Sequence, residues 1–138
     1  MELTAIRYMG NKGLLVMIDD DTDDQEILKM AIGELDRPLH SLFFSDCESA
    51  IAHFSKSSVV SPGYVLIDLR LPRIEGDQCL QHLQRLQRFD SPQIVIYSTA
   101  IPDHWRDKLS KIGVDRFIEK TNSLQTLIED IQELVGEG

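Results

Sequence analysis

Tyr64-Val65-Leu66-Ile67-Asp68-Leu69-Arg70-Leu71-Pro72 is the stretch on which the reading of this chain turns. Four apolar residues run without a break into one carboxylate, and a Leu-Pro follows, then Ile74-Glu75-Gly76. An unbroken apolar run of this kind predicts a strand buried on both faces. Asp68 then stands at the strand's carboxyl end, the edge where open α/β sheets place their ligands. A carboxylate there has two readings. It can cap the loop or helix that follows, or its oxygen can act as a nucleophile that accepts a phosphoryl group. Asp68 alone does not choose between them.

Working outward, the chain has 138 residues, enough for one domain with one core. A hydrophobic share of 42% and a charged share of 27% are ordinary for a globular protein. The net charge of -9 argues against direct binding of nucleic acid, whose phosphates would be repelled. No apolar run approaches a membrane span, and Met1 to Lys12 carries no signal-peptide pattern, so a cytoplasmic protein is expected. Cys47 and Cys79 are too few and too far apart to suggest a disulfide framework or a zinc site, and are expected to be free, partly buried thiols. His40, His53, His82 and His104 have no spacing for shared metal ligation and are expected on the surface or on helices.

Met1 to Gly13 is mixed and ends in a Gly10-Asn11-Lys12-Gly13 turn, a lead-in to one domain over 14–138. Leu14-Leu15-Val16-Met17-Ile18 is the first buried strand and runs into Asp19-Asp20-Asp21. A helix follows with Thr22 or Asp23 as N-cap and Ile27, Leu28, Ala31, Ile32 and Leu35 at helical spacing. Leu39 to Phe44 is the second strand, and Asp46 caps a short helix through Ala50, Ile51 and Phe54. The Asp68 strand is third. A helix over Asp77 to Leu86 carries Cys79, Leu80, Leu83 and Leu86. Ile94-Val95-Ile96-Tyr97 is the fourth strand and opens into Ser98-Thr99-Ala100. Pro102-Asp103 starts a helix closed by Gly113. Val114 to Glu119 is the fifth strand and leads to Lys120. The last helix, from about Ser123, shows Leu124, Leu127, Ile128, Ile131 and Leu134 on one face.

Five alternations of strand and helix predict a doubly wound, flavodoxin-like α/β fold: a five-stranded parallel sheet with helices on both faces and right-handed crossovers. In the strand order 2-1-3-4-5, strands one and three are neighbours at the switch point. Asp19, Asp20 and Asp68 then converge at one edge with Ser98, Thr99 and Lys120. Several carboxylates in one crevice repel each other unless a cation is present, and an all-oxygen set suits Mg²⁺. Phosphoryl transfer to Asp68 brings together all of these groups. A divalent ion offsets the charge of two approaching anions, Lys120 neutralises one phosphoryl oxygen, and the Ser98 hydroxyl bonds another.

The stretches Ile18-Asp19-Asp20-Asp21, Ile67 to Pro72, Ile74-Glu75-Gly76, Tyr97-Ser98-Thr99-Ala100 and Phe117-Ile118-Glu119-Lys120 together resemble the receiver domain of two-component response regulators, from about Leu14 to Val135. The resemblance implies that Asp68 is the phosphoacceptor. It implies that Asp19, Asp20, Asp68 and the backbone carbonyl of Arg70 hold Mg²⁺, directly or through water. Ser98 matches the switch hydroxyl, Phe117 the switch aromatic and Lys120 the site lysine, while Arg70 and Thr99 stand where neighbours modulate the site. The implied donor is a sensor histidine kinase or a histidine phosphotransfer protein. The implied output is a contact with a further protein or passage of the phosphoryl group to another histidine carrier. Catalysis is then limited to the domain's own phosphorylation and dephosphorylation.

Two departures stand out. Thr121 follows Lys120 where the family usually has a proline in a cis peptide, and a cis bond without proline costs roughly 3 kcal/mol. Arg70 is bulkier and more charged than the residue often found there; it can shield or pair with the phosphoryl group, or pair with Glu75. Asp21, Asp23 and Asp24 read as solvated acids at a helix start. The run from Asp19 fails as a calcium loop, with Asp24 where Gly is needed and Met30 where Glu is needed. A similarity to the haloacid-dehalogenase phosphatases fails at Asp23, where that family has Thr or Val. The remaining alternative is a receiver-like docking module that works without phosphorylation. Asp68→Asn separates the two readings.

Overall fold

The computed structural model describes residues 13–136. The expected lead-in before Gly13 and the last two residues lie outside them. The elements are β1 (Leu14–Ile18), α1 (Thr22–Gly33), β2 (His40–Phe44), α2 (Cys47–Phe54), β3 (Tyr64–Ile67), α3 (Gly76–Leu83), β4 (Gln93–Ser98), α4 (Asp103–Lys111), β5 (Arg116–Glu119) and α5 (Leu124–Gly136). All strands are parallel, in the order β2-β1-β3-β4-β5. Ile18 pairs with Ile67 at the end of the β1–β3 ladder, so Asp19 and Asp68 leave the sheet side by side.

Alternation along the strands splits the core into two layers. Val16, Ile18, Val65, Ile67, Ile94 and Ile96 pack with Phe54 of α2, Leu80 and Leu83 of α3, and Leu109 of α4. Leu15, Met17, Leu66, Val95 and Tyr97 pack on the other face with Leu28 and Ala31 of α1 and with Leu127, Ile131 and Leu134 of α5. Both layers are almost free of solvent, and burial of each such aliphatic side chain is worth about 1.5–3 kcal/mol.

The helix ends differ slightly from expectation. Asp21 is the N-cap of α1, because the helix already begins at Thr22, and its carboxylate accepts from the amides of Asp23 and Asp24. Asp46 caps α2 as expected. α3 ends at Leu83; beyond it Arg85 and Leu86 bond back only three residues, to His82 and Leu83, which tightens the chain out of the helix. Gly113 follows α4 at φ +105°, a left-handed value suited to glycine. Each histidine is exposed or half-buried, and the ring of His53 packs edge-on against Phe54 and tilted against Phe44.

The cysteines are a correction. Cys47 and Cys79 form a disulfide, with Cα atoms 5.8 Å apart, and both are fully buried. Their 32-residue separation hid the pairing. Cys47 opens α2 and Cys79 lies inside α3, and the two helices pack side by side over one face of the sheet. No peptide bond among the described residues is cis, so the Lys120–Thr121 link is trans and its loop departs from the usual family form.

Candidate functional site

The site forms where four strands release their chains at the carboxyl edge. The amide of Asp68 bonds to the Ile18 carbonyl (3.1 Å) and that of Asp19 to the Phe44 carbonyl (3.0 Å), which extends the ladders one residue into the site. The amide of Lys120 bonds to the Ser98 carbonyl in the same way (2.9 Å). Asp19 and Asp68 are 1% and 8% exposed, and Ser98 is 5% exposed, so charge and hydroxyl are held largely out of water.

Asp68 is bonded through both carboxylate oxygens. Ser98 Oγ donates to Oδ1 at 3.0 Å, and the amide of Arg70 donates to the same oxygen at 3.2 Å. Lys120 Nζ donates to Oδ2 at 2.9 Å. Beneath Asp68 lies Gly76, whose amide bonds to the Leu69 carbonyl at 2.8 Å. A Cβ at Gly76 would sit 2.2 Å from the Asp68 carbonyl oxygen, so only glycine lets α3 start this close to the acid.

Lys120 reaches three carboxylates: Asp24 Oδ2 at 2.7 Å, Asp19 Oδ2 at 2.8 Å and Asp68 Oδ2 at 2.9 Å. Burial pulls the ammonium pKa down, but the close carboxylates of Asp19, Asp24 and Asp68 outweigh it and hold the group above its ordinary value. Burial pushes Asp19 up to about 6, against the lowering from Lys120 and the Asp21 amide. Tyr97, whose ring lies 5.6 Å below Lys120 Nζ, is raised to about 12, chiefly by burial.

Asp19, Asp20 and Asp68 each bring a carboxylate oxygen within 4.8 Å of the others. Asp19 Oδ2 is buried and has no aligned hydrogen-bond donor; Lys120 lies near it but outside bonding direction. An orphaned buried oxygen within an all-oxygen set fits a small divalent cation. Asp20 is exposed and would complete the set from the solvent side.

The expected residues are thus found together, with differences of role. Ser98 already touches Asp68. Phe117 is half-buried at the edge of the core, and the guanidinium of Arg106 lies 5.2 Å from the centre of its ring. Thr99 is exposed, and its hydroxyl has no partner among the described residues. Arg70 meets Glu75 through a backbone bridge. It lines a cleft of 210 Å³ beside the site with Leu69, Ala100, Pro102 and Trp105. Asp24 is a correction: it is no solvated acid but the shortest contact of Lys120. Alternation could have revealed it. Asp19, Asp68 and Lys120 share the parity of Met17, Leu66 and Ile118, so they face the layer of α1, whose first turn carries Asp24.

Among the described residues no helix is long and apolar enough to cross a membrane. Among curated proteins, the chain is 22% identical over 125 residues to hybrid signal transduction histidine kinase D of Dictyostelium discoideum, covering 91% of this chain and 8% of that protein. It is 27% identical over 73 residues to the probable methanogenesis regulatory protein FilR2 of Methanothrix harundinacea, covering 53% of this chain and 47% of that one. The chain therefore spans less than half the length of either relative. Among solved structures, the phosphorylated cyanobacterial phytochrome response regulator RcpA superposes with a TM-score of 0.76 at 19% identity, covering 88% of this chain and 90% of that one. The Mn²⁺-bound response regulator Rcp1 gives 0.74 at 16% identity, covering 88% and 91%. These structures share the fold, and the model for "response regulator receiver domain" matches residues 15–132. With that match spanning nearly all of the described residues, the chain belongs to the response regulator receiver domain family.

Proposed function

We propose that this receiver domain accepts a phosphoryl group on Asp68 from a phosphohistidine donor, a sensor histidine kinase or a histidine phosphotransfer protein, with Mg²⁺ as cofactor. The observation that carries the reading is the pair of bonds on Asp68: Ser98 at 3.0 Å on one oxygen and Lys120 at 2.9 Å on the other. A carboxylate held from both sides is fixed in position, and its two donors are at hand for an incoming phosphoryl group.

In the step, a carboxylate oxygen of Asp68 forms a bond to phosphorus as the phosphorus–nitrogen bond of the donor breaks. The electron pair of that bond leaves with the imidazole. Asp19, Asp20, Asp68 and the Arg70 carbonyl would hold the cation. When bound, it offsets the negative charge of carboxylate and phosphoryl group as they approach. Lys120 moves its donor from Asp68 to a phosphoryl oxygen. Ser98, freed from Asp68, bonds another, and Phe117 turns into the space behind it. Arg106, which covers Phe117 and reaches Glu119 at 3.2 Å, must then release one of these contacts. The outer surface around α4 and α5 would change, and a protein partner would read it. Phosphorylation would shift an equilibrium between two forms. The same groups would support loss of the phosphoryl group to water. We place the protein in the cytoplasm, with no nucleic acid or membrane as direct partner.

The phosphorylation-independent docking module is not favoured, since Asp68, Ser98 and Lys120 stand bonded together. The test is intact mass after incubation with a small-molecule phosphodonor, with and without Mg²⁺. One added phosphoryl group that needs Mg²⁺ and vanishes in Asp68→Asn is the expected result. Equal labelling of Asp68→Asn overturns the assignment.

A further inference from the structure

Lys120 divides its contacts unevenly. Its two aligned hydrogen bonds go to Asp24 Oδ2 (2.7 Å) and Asp68 Oδ2 (2.9 Å), while Asp19 is near but poorly aligned. Of the three acids, Asp19 and Asp68 also belong to the cluster suited to a cation, and Asp24 does not. Asp24 comes from α1, the layer opposite α3 and α4, and its carboxylate is only 18% exposed. Its amide bonds at 3.4 Å to Asp21, the cap of the same helix, which fixes the turn that presents it.

An ammonium has three donors and no acceptor. In the proposed reaction Asp68 gives up its oxygen to phosphorus, and Asp19 serves the cation. Both partners that compete for Lys120 are then engaged elsewhere, and one acid still holds it. We propose that Asp24 is the anchor of Lys120, a positioning residue that keeps the ammonium over the phosphoacceptor when Asp19 and Asp68 are engaged elsewhere. The inference rests on the reading of Asp68 as phosphoacceptor.

A long, flexible lysine side chain gains most from such a hold, because its rotamer freedom is otherwise lost at the moment of reaction. Asp24 also has a matched control. Asp23 is its neighbour in the first turn of α1, carries the same charge beside the same helix dipole, and is exposed without a contact to Lys120.

Two measurements on Asp24→Ala and Asp23→Ala test the proposal. The first is the Lys120 ammonium signal in ¹H–¹⁵N spectra at saturating Mg²⁺, when Asp19 and Asp68 would serve the cation and slow exchange with water reports a group held by Asp24. It is expected in the wild type and Asp23→Ala and lost in Asp24→Ala. Persistence of the signal in Asp24→Ala overturns the anchor. The second is the rate of labelling by a small-molecule phosphodonor at saturating Mg²⁺. It is expected to fall about tenfold in Asp24→Ala, as for loss of a charge-assisted hydrogen bond, and less than twofold in Asp23→Ala. Equal rates in the two variants overturn the positioning role. If the wild type is not labelled, the phosphoacceptor reading fails, and the ammonium signal still decides whether Asp24 holds Lys120.

Discussion

α3 and α4 lie on the same face of the sheet, opposite α1, but are held in different ways. α3 buries Gly76, Asp77, Cys79, Leu80 and Leu83, most of its length, is tied by a disulfide to α2, and starts with its backbone against that of Asp68 and Leu69. The loop before it is pinned as well, with Arg73 on Glu48 at 2.7 Å and on Asp46 at 3.4 Å. α4 buries only Leu109, and its N-cap, Pro102, offers no side-chain bond. Its far end is fixed, since Gln84 donates to the Ile112 carbonyl at 2.7 Å. Along its length it is tied by ion pairs, Lys108 to the largely buried Asp77 at 3.5 Å and Arg106 to the exposed Glu119 at 3.2 Å. Exposed ion pairs contribute about 0–1 kcal/mol each. One helix thus fixes Asp68, and the other can shift at low cost, which is where a signalling domain needs its give.

Cutting the tie of α3 is expected to have the largest effect. In the loop-closure account a ring of this length, 32 residues in separation, stabilises by about 4 kcal/mol. The Cys47→Ala/Cys79→Ala protein is expected to show that loss in urea unfolding against the oxidised wild type. A loss below about 1 kcal/mol would show that α3 is held by packing alone. Gly76→Ala comes next. Its Cβ meets backbone rather than a side chain, so the cost is expected near 3 kcal/mol, with weaker labelling of Asp68. A variant of native stability would mean that α3 can back away, and the contrast with α4 would weaken.

The acid cluster on the α1 side of the sheet edge can be probed by pH. In the metal-free protein burial lifts Asp19 from 3.8 to about 6, so the folded chain holds this proton more tightly than the unfolded one. Its contribution to stability is therefore lost as pH rises through that window and returns on acidification. The thermal midpoint without divalent ions is expected to be a few degrees higher at pH 5 than at pH 7.5, with a smaller difference in Asp19→Asn. An unchanged difference in that variant would acquit Asp19. The smallest effect is expected at α4: Arg106→Ala costs less than about 1 kcal/mol in stability, yet it frees the ring of Phe117. Exchange-sensitive NMR of Phe117 is the readout, and a ring as restricted as in the wild type would remove Arg106 from the proposed switch.

Much of this was legible in the sequence. The runs at Leu14–Ile18 and Tyr64–Ile67 could only be buried parallel strands, and the order of the sheet then brought Asp19, Asp20, Asp68, Ser98 and Lys120 to one edge. What escaped depended on contacts between layers. Asp24 reads as a polar helix start until the parity of Lys120 is traced to the α1 face. Cys47 and Cys79 are linked only through the packing of two helices whose separation in sequence gives no hint of it. Arg73 adopts φ 68°, a left-handed value that no local signal marks, and its two ion pairs show why that turn is kept.

The bond between Cys47 and Cys79 makes the intervening chain a covalent ring, and Asp68 lies within it. The exposed stretch at Ser55–Ser58 lies in the same ring, on the opposite side of β3 from α3. A protease that cuts once there opens the ring without parting the molecule. The nicked protein would run as one species on a gel without reductant and as two pieces with it, and Asp68 would stay joined to β1 through the disulfide and to β5 through the chain. A single cut in this connection is therefore a way to relax the backbone on one side of Asp68 while composition and mass, but for one added water, stay the same.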